Sequence, residues 1–222
     1  MVHEKNLSIS VIVPLFNGAS TIIDTLKSLL EQRVFFDELI IINDASKDNS
    51  KKLVEDYLKG KIEYKIINHE KNWGLARSLN DGISKSLGDL VVTLHQDVIF
   101  EPNALSFLVE PFADPNIVAA GHVSVFPLAQ WKKYSFWKKC FFARFTGKEF
   151  SGINGQFDCF RKNALEKVGL FDGKTFRSAG EDMDILYKLK KIGKIAYPKA
   201  KIIHLQSLDQ NFDYKNIIFK QK

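Results

Sequence analysis

The stretch LVVTLHQDVIF, residues 90–100, is apolar and β-branched until it releases His95, Gln96 and Asp97. A strand that merely turned at the surface would end in Gly, Asn or Ser. An imidazole and a carboxylate instead exchange protons and bind hydroxyl groups and cations. The same habit recurs through the first half of the chain: Pro14 and Asn17 follow SISVIV, Asn43 and Asp44 follow ELIII, and Asn68 to Asn72 follow IEYKII. A further acidic group, Glu181, Asp182 and Asp184 in GEDMD, opens a predicted helix. The helix dipole there favours ionised carboxylates, and acids also enrich the first turn of helices that have no chemistry to do.

Strand-like and helix-like runs alternate to position these groups, the order of a parallel sheet with helices on its faces. Residues 8–16, 38–44, 62–68 and 90–95 read as strands. Helices are predicted after Ser20, as a cap, with Ile22, Ile23, Leu26, Leu29 and Leu30 at helical period, and again over 51–58 and 74–87. Strands that are apolar throughout are buried on both faces, and ligands gather at their carboxyl ends. The polar residues named above all lie at such ends, so four strand ends converge on one predicted site. In the second half, 101–112 reads as a helix after Pro102, 117–126 as one strand, 182–193 as a helix and 200–207 as a last strand. No linker divides the chain, which predicts one α/β domain over 1–222.

The 222 residues are 45% hydrophobic and 26% charged, which is globular usage. No apolar run approaches the ~18 residues of a membrane span, and the N-terminus MVHEKNLS is polar where a signal peptide is apolar, so a cytoplasmic protein is expected. Cys140 and Cys159 show no metal spacing and read as reduced core thiols. The net charge of +6 is concentrated in QWKKYSFWKKCFFARFTGKE, residues 130–149, where six lysines and arginines face Glu149 alone. If helical, this segment sets Trp131, Tyr134, Phe136, Trp137, Phe141, Phe142 and Phe145 on a face flanked by lysines, suited to an anionic membrane surface. The competing reading packs the aromatics over the core and solvates the lysines. Basic residues among aromatics also occur in nucleic-acid binders, but no helix-turn-helix, zinc or RNA-binding signature accompanies them, so nucleic acid is not an expected partner.

From about residue 8 to 206 the chain resembles the family 2 glycosyltransferases, inverting nucleotide-sugar enzymes with the GT-A fold. The resemblance is carried in order by ISVIVPLFN, IINDASKDNS, NWGLARSLNDGI, TLHQD at the place of the DxD motif, VGLFDGKTFRSAGEDMDILYKLKKIG and AKIIH. It implies a Rossmann-like three-layer α/β/α domain with a mostly parallel sheet, a nucleotide-sugar-binding half over about 8–100 and an acceptor-binding and catalytic half over about 101–206. It also implies transfer from a nucleotide-diphospho-sugar to a glycan or lipid-linked acceptor, in cell-surface glycan or glycolipid synthesis, and the membrane reading of 130–149 would place the protein peripherally at the inner face of the membrane.

Departure of a diphosphate needs a cation and basic groups to offset its charge. The resemblance makes Asp97 and His204 ligands of Mn2+ or Mg2+ and Asp182 the general base for an acceptor hydroxyl, with Glu181 orienting either Asp182 or the acceptor. It sets Asn43 and Asp44 against the nucleobase and ribose, Asn43 standing where the family has an acid. Pro14 and Asn17 shape the backbone around the base, with Gly74 at the helix start. Arg77, one turn on, either reaches a phosphate or ribose or is simply an exposed helix arginine. Ser46 and Asp48 are expected to stabilise the turn after the second strand.

At TLHQD the chain departs from the family, because His95 replaces the first acid of DxD. His95 and Gln96 are both expected in the nucleotide-sugar site, where His95 would bond a ribose or donor-sugar hydroxyl or become a second nitrogen ligand. If it must stay neutral, activity should fall below about pH 6. The same swap admits a catalytically silent nucleotide- or glycan-binding module. A sugar-1-phosphate nucleotidyltransferase would need a Gly-rich phosphate loop after the first strand, and VPLFNGAS is not one.

Overall fold

The computed structural model describes residues 7–126, 131–176 and 180–205. Strands β1 (Ile9–Leu15), β2 (Glu38–Asn43), β3 (Lys65–Asn68) and β4 (Leu90–Leu94) pair parallel. With β6 (Ile117–Ala120), β9 (Phe157–Arg161) and β10 (Lys194–Ala196) they form a seven-stranded sheet in the order β10-β6-β9-β4-β1-β2-β3. Only β9 runs antiparallel to its neighbours, β4 and β6. Strands β5 (Val98–Phe100), β7 (His122–Val125), β8 (Glu149–Gly152) and β11 (Lys201–His204) form a second sheet ordered β5-β11-β7-β8. The mostly parallel α/β arrangement expected from the alternation is therefore present.

Side-chain alternation builds the layers. Val11, Val13, Leu39 and Ile41 point to one face, where they pack with Ile22, Leu26 and Leu29 of α1 (Ile22–Leu30) and with Val54 and Leu58 of α2 (Ser50–Leu58). Ile12, Ile40 and Ile42 point to the other and meet α3 (Leu75–Lys85), α6 (Lys162–Lys167) and α7 (Glu181–Leu189). Between α3 and α6 come α4 (Ala104–Val109), a 3-10 turn (Glu110–Ala113) and α5 (Phe136–Phe142). Gly82 lets α3 lie close on β1, since a Cβ there would stand 2.4 Å from Ile12 Cγ2.

Four local expectations are corrected. Ser20 does not cap α1: the helix starts after Thr21, without a side-chain cap, and the N–H groups of Thr21 and Ile22 bond the Gly18 carbonyl. The third strand covers only Lys65–Asn68 and is half-exposed, because it is the edge of the sheet. The run 117–126 is two strands in two sheets, broken at Gly121, where a Cβ would stand 2.2 Å from the Gly152 carbonyl oxygen. Cys159 is a buried core thiol as expected, but Cys140 is exposed.

Candidate active site

The carboxyl ends of β1, β2 and β4 open on a cleft of about 240 Å³ lined by Pro14, Leu15, Phe16, Asp44, Asn72, Gly74, Leu75, Ser78, His95, Gln96 and Asp97. Seven of the residues singled out from sequence, counting Asn72 of the run 68–72, thus share one wall or another of it. The N-terminus of α1 is tied to this place through Thr25, whose hydroxyl donates to the Gln96 carbonyl (2.9 Å) and accepts from Val98 N–H (3.1 Å). Gln96 itself clamps the β1 loop: its amide donates to the Phe16 carbonyl at 3.0 Å and accepts from Phe16 N–H at 2.9 Å.

On the β4 side, His95, Asp97 and His204 each bring one ligand atom within 4.8 Å of the others. His204 reaches Asp97 because β11 pairs with β5 in a register that sets it opposite Val98. Its Nε2 lies 3.0 Å from Asp97 Oδ2. Burial raises the Asp97 carboxyl, but the hydrogen bond and charge of His204, with the charge of His95, hold it below the ordinary range. Burial lowers the His95 imidazole, with the Asp97 charge opposing and His204 assisting. Its neutral form is therefore kept to lower pH than in a free histidine, which moves the expected loss of activity below pH 6 further toward acid.

His95 Nε2 is buried and has no hydrogen-bond partner. Across from it is Gly155, where a Cβ would stand 3.4 Å from that nitrogen. A buried, unpartnered imidazole nitrogen is costly unless something else takes its lone pair. Two imidazoles and a carboxylate fit a divalent transition-series cation, so the donor set present here agrees with a metal at this place.

On the opposite wall the carboxylate is met by donors on both oxygens, although His69 Nε2 there is also buried without a hydrogen bond. Asp44 is buried and accepts from Trp73 N–H (2.8 Å) and Gly74 N–H (2.9 Å), and its Oδ1 lies 2.7 Å from His69 Nδ1. His69 Nε2 in turn lies 3.1 Å from Asp81, which pairs with Arg77 at 2.8 Å. Arg77 is 62% exposed and stands outside the cleft lining. Asn43 spends its amide inside the fold, donating to Asn68 (3.0 Å) and accepting from Ser46 N–H (3.2 Å). Asn17 takes a left-handed φ of 50° and accepts from Lys47 N–H. Asp48 and Ser46 do brace this turn, through Ala19 N–H and Asn17 N–H. Gly74, at φ 88°, has the conformation that glycine adopts without strain.

Glu181 and Asp182 open α7 as expected, although neither lines the cleft. Asp182 accepts from Met183 N–H at 2.8 Å. Glu181 is buried and its Oε2 has no hydrogen-bond partner; burial pushes its carboxyl up, and the Asp182 charge adds to this. Residues 177–179 of the upstream stretch lie outside the described residues.

Sequence reasoning named His69 only within the run 68–72, without a role, and missed Phe16 at the cleft mouth and the buried His122–Asp158 pair behind Gly155. A histidine inside the apolar run IVAAGHVSVF was the one available signal for His122. The basic aromatic segment divides. Tyr134 is buried, and Phe142 and Phe145 pack in an aromatic cluster with Phe126, while Phe136 and Trp137 are 70% and 68% exposed. Residue 130 and the side chains of Lys138 and Phe141 lie outside the described residues. No helix among the described residues is long and apolar enough to cross a membrane.

The family model described as Glycosyl transferase family 2 matches residues 10–169. The poly-beta-1,6-N-acetyl-D-glucosamine synthase of Staphylococcus epidermidis (strain RP62A) is 29% identical over 196 residues, 84% of this chain and 47% of that protein. The chain thus spans about half the length of the curated relatives it matches. Among solved structures, the mannosyltransferase PcManGT from Pyrobaculum calidifontis, in complex with GDP-Man and Mn2+, superposes with a TM-score of 0.73 at 18% identity over 94% of this chain and 59% of that one. S. aureus TarS 1-349 in complex with UDP-GlcNAc gives 0.65 at 18% identity, over 96% and 64%. At such identities the likenesses establish the GT-A fold.

Proposed function

The chain belongs to glycosyl transferase family 2, and on that premise we propose that it moves a sugar from a nucleotide-diphospho-sugar to a glycan hydroxyl or a lipid phosphate, with inversion. The observation that carries this reading is the cleft at the strand ends, with His95 and Asp97 in its lining and His204 grouped with them. Residues 8–100 would hold the donor and 101–206 the acceptor, within one domain. The named relatives and the TarS complex make UDP-N-acetylglucosamine the first donor to test.

Asp97 and His204, joined by His95, would hold a divalent cation, Mn2+ more readily than Mg2+ because two donors are nitrogen. When bound, the cation supplies charge to offset the leaving diphosphate. Pro14, Asn17, Asn43, Asp44 and Gly74 shape the nucleoside side, and Phe16, 42% exposed at the mouth, offers a ring face to a base. Gln96 fixes the β1 loop from below. Arg77, released from Asp81, would reach a phosphate. Asp182 takes the proton of the acceptor hydroxyl as its oxygen attacks the anomeric carbon from the face opposite the departing diphosphate, and Glu181 orients the acceptor. A lipid phosphate, already ionised, needs no base, and Asp182 then only orients it. Phe136 and Trp137, with Lys132 and Lys133 nearby in sequence, would face an anionic membrane surface at the inner leaflet.

The test is thermal stability with a panel of nucleoside diphosphates and diphospho-sugars, each with Mn2+ and with chelator, followed by turnover of the donor that binds. A Mn2+-dependent shift, with turnover that Asp182→Asn removes while donor binding stays, is the expected result. Donor binding with no turnover in the wild type would leave a silent nucleotide-binding module. No shift with any donor would overturn the reading.

A further inference from the structure

Behind the cation side of the cleft lies a polar network that the transfer chemistry does not use. His122 on β7 and Asp158 on β9 are both fully buried and join the two sheets. The partners of His122 Nδ1 are the Asp158 carboxylate (2.9 Å) and the Phe157 carbonyl (3.1 Å), both acceptors, so this nitrogen carries a proton. The other Asp158 oxygen accepts from the N–H groups of Asn154 (3.1 Å) and Gly155 (2.6 Å). Ser124 connects His122 Nε2 (3.0 Å) to the side chain of Gln156 (3.2 Å). Every residue of the turn 154–156 is therefore fixed from below by this network. The turn in turn fixes His95: the Gln156 carbonyl accepts His95 N–H at 2.9 Å, and Gly155 lies against the unpartnered His95 Nε2.

We infer that His122 and Asp158 are positioning residues, which hold the 154–156 turn against the His95 backbone and ring and so keep the imidazole in place at the cation site. The inference rests on the proposed reading of His95, Asp97 and His204 as the cation's ligands. Groups that orient ligands from behind typically alter metal affinity by about 10–100-fold when removed. An apolar core needs no such pair, and a buried charge pair gives little net stability over well-packed apolar residues. Its connections run to the turn and to His95, which is what a positioning role requires.

The test uses the full chain without donor and reads two quantities: Mn2+ affinity by paramagnetic resonance, and amide hydrogen exchange at His95, Gly155 and the middle of β1 without metal. His122→Ala and Asp158→Asn should weaken Mn2+ binding by about tenfold or more and speed exchange at His95 and Gly155 ahead of β1. His122→Asn, which keeps a donor near the Nδ1 position, should restore most of both. Ser124→Ala, a smaller change that removes one tie, carries the test if the other variants fail to fold, and should shift both readouts in the same direction. Unchanged Mn2+ affinity with uniformly faster exchange would mean a purely structural pair and overturn the inference. Failure of the wild type to bind Mn2+ would sink the ligand reading instead, and exchange at His95 and Gly155 would still decide whether the pair positions the turn.

Discussion

Asp44 and Asp97 both follow an apolar strand and both line the cleft, yet their surroundings differ. Asp44 is met by two backbone N–H groups and an imidazole, so its oxygens hold loop 69–74 in place. Asp97 stands beside two imidazoles, one of which keeps a nitrogen with no partner. Saturation builds a wall, whereas a donor set that keeps one buried nitrogen unbonded is left for something that arrives. The same type of residue at the same kind of strand end therefore has two physical roles, set by what the rest of the fold brings to it.

The contrast can be broken most sharply at Asp97. Asp97→Ala should abolish the Mn2+-dependent thermal shift and lower turnover by about a thousandfold, the upper range for losing charge stabilisation in a transition state; a retained shift would deny that this wall holds the cation. Asp44→Asn should instead cost about 3 kcal/mol in urea unfolding, because an amide cannot accept from all three donors. Its Mn2+ affinity should equal that of the wild type, and a loss there would erase the distinction between the walls.

The titrating groups sharpen the comparison with smaller effects. Burial lowers the His95 imidazole from 6.5, so the unfolded chain takes up this proton before the folded one does. The associated stability is present above that value and is lost as pH falls through the lower, folded one. His95→Asn should remove this part of the pH dependence, read as a flatter unfolding midpoint as pH falls below 6.5. Burial acts on Glu181 in the opposite sense, raising it from 4.5. Its contribution is present below that value and lost as pH rises through the folded one, so Glu181→Gln should raise the melting temperature at neutral pH and change little in acid.

Much of the fold was legible because burial leaves a periodic trace. Val11, Ile12 and Val13 alternate between two helical layers, and Leu26 and Leu29 repeat at helical spacing. The insertion of β9 between β4 and β6 was not legible, because FDCFR is a short apolar run whose partner lies some sixty residues away in sequence. Nor was the break at Gly121, which depends on the approach of Gly152. Of the site, Asp97 was marked by the apolar strand it follows and its role as a ligand, like that of His204, came through resemblance, whereas His69, His122 and Asp158 stand in no motif and acquire their meaning only from their partners.

The alternating α/β order, the gathering of polar residues at strand ends and the family are each written in local period or in ordered short motifs. Which of those polar groups are already satisfied is settled by packing. Hydrogen-bond saturation belongs to pairs of atoms, and the partners of Asp44, Asn43 and His95 come from distant stretches of chain that packing alone brings together.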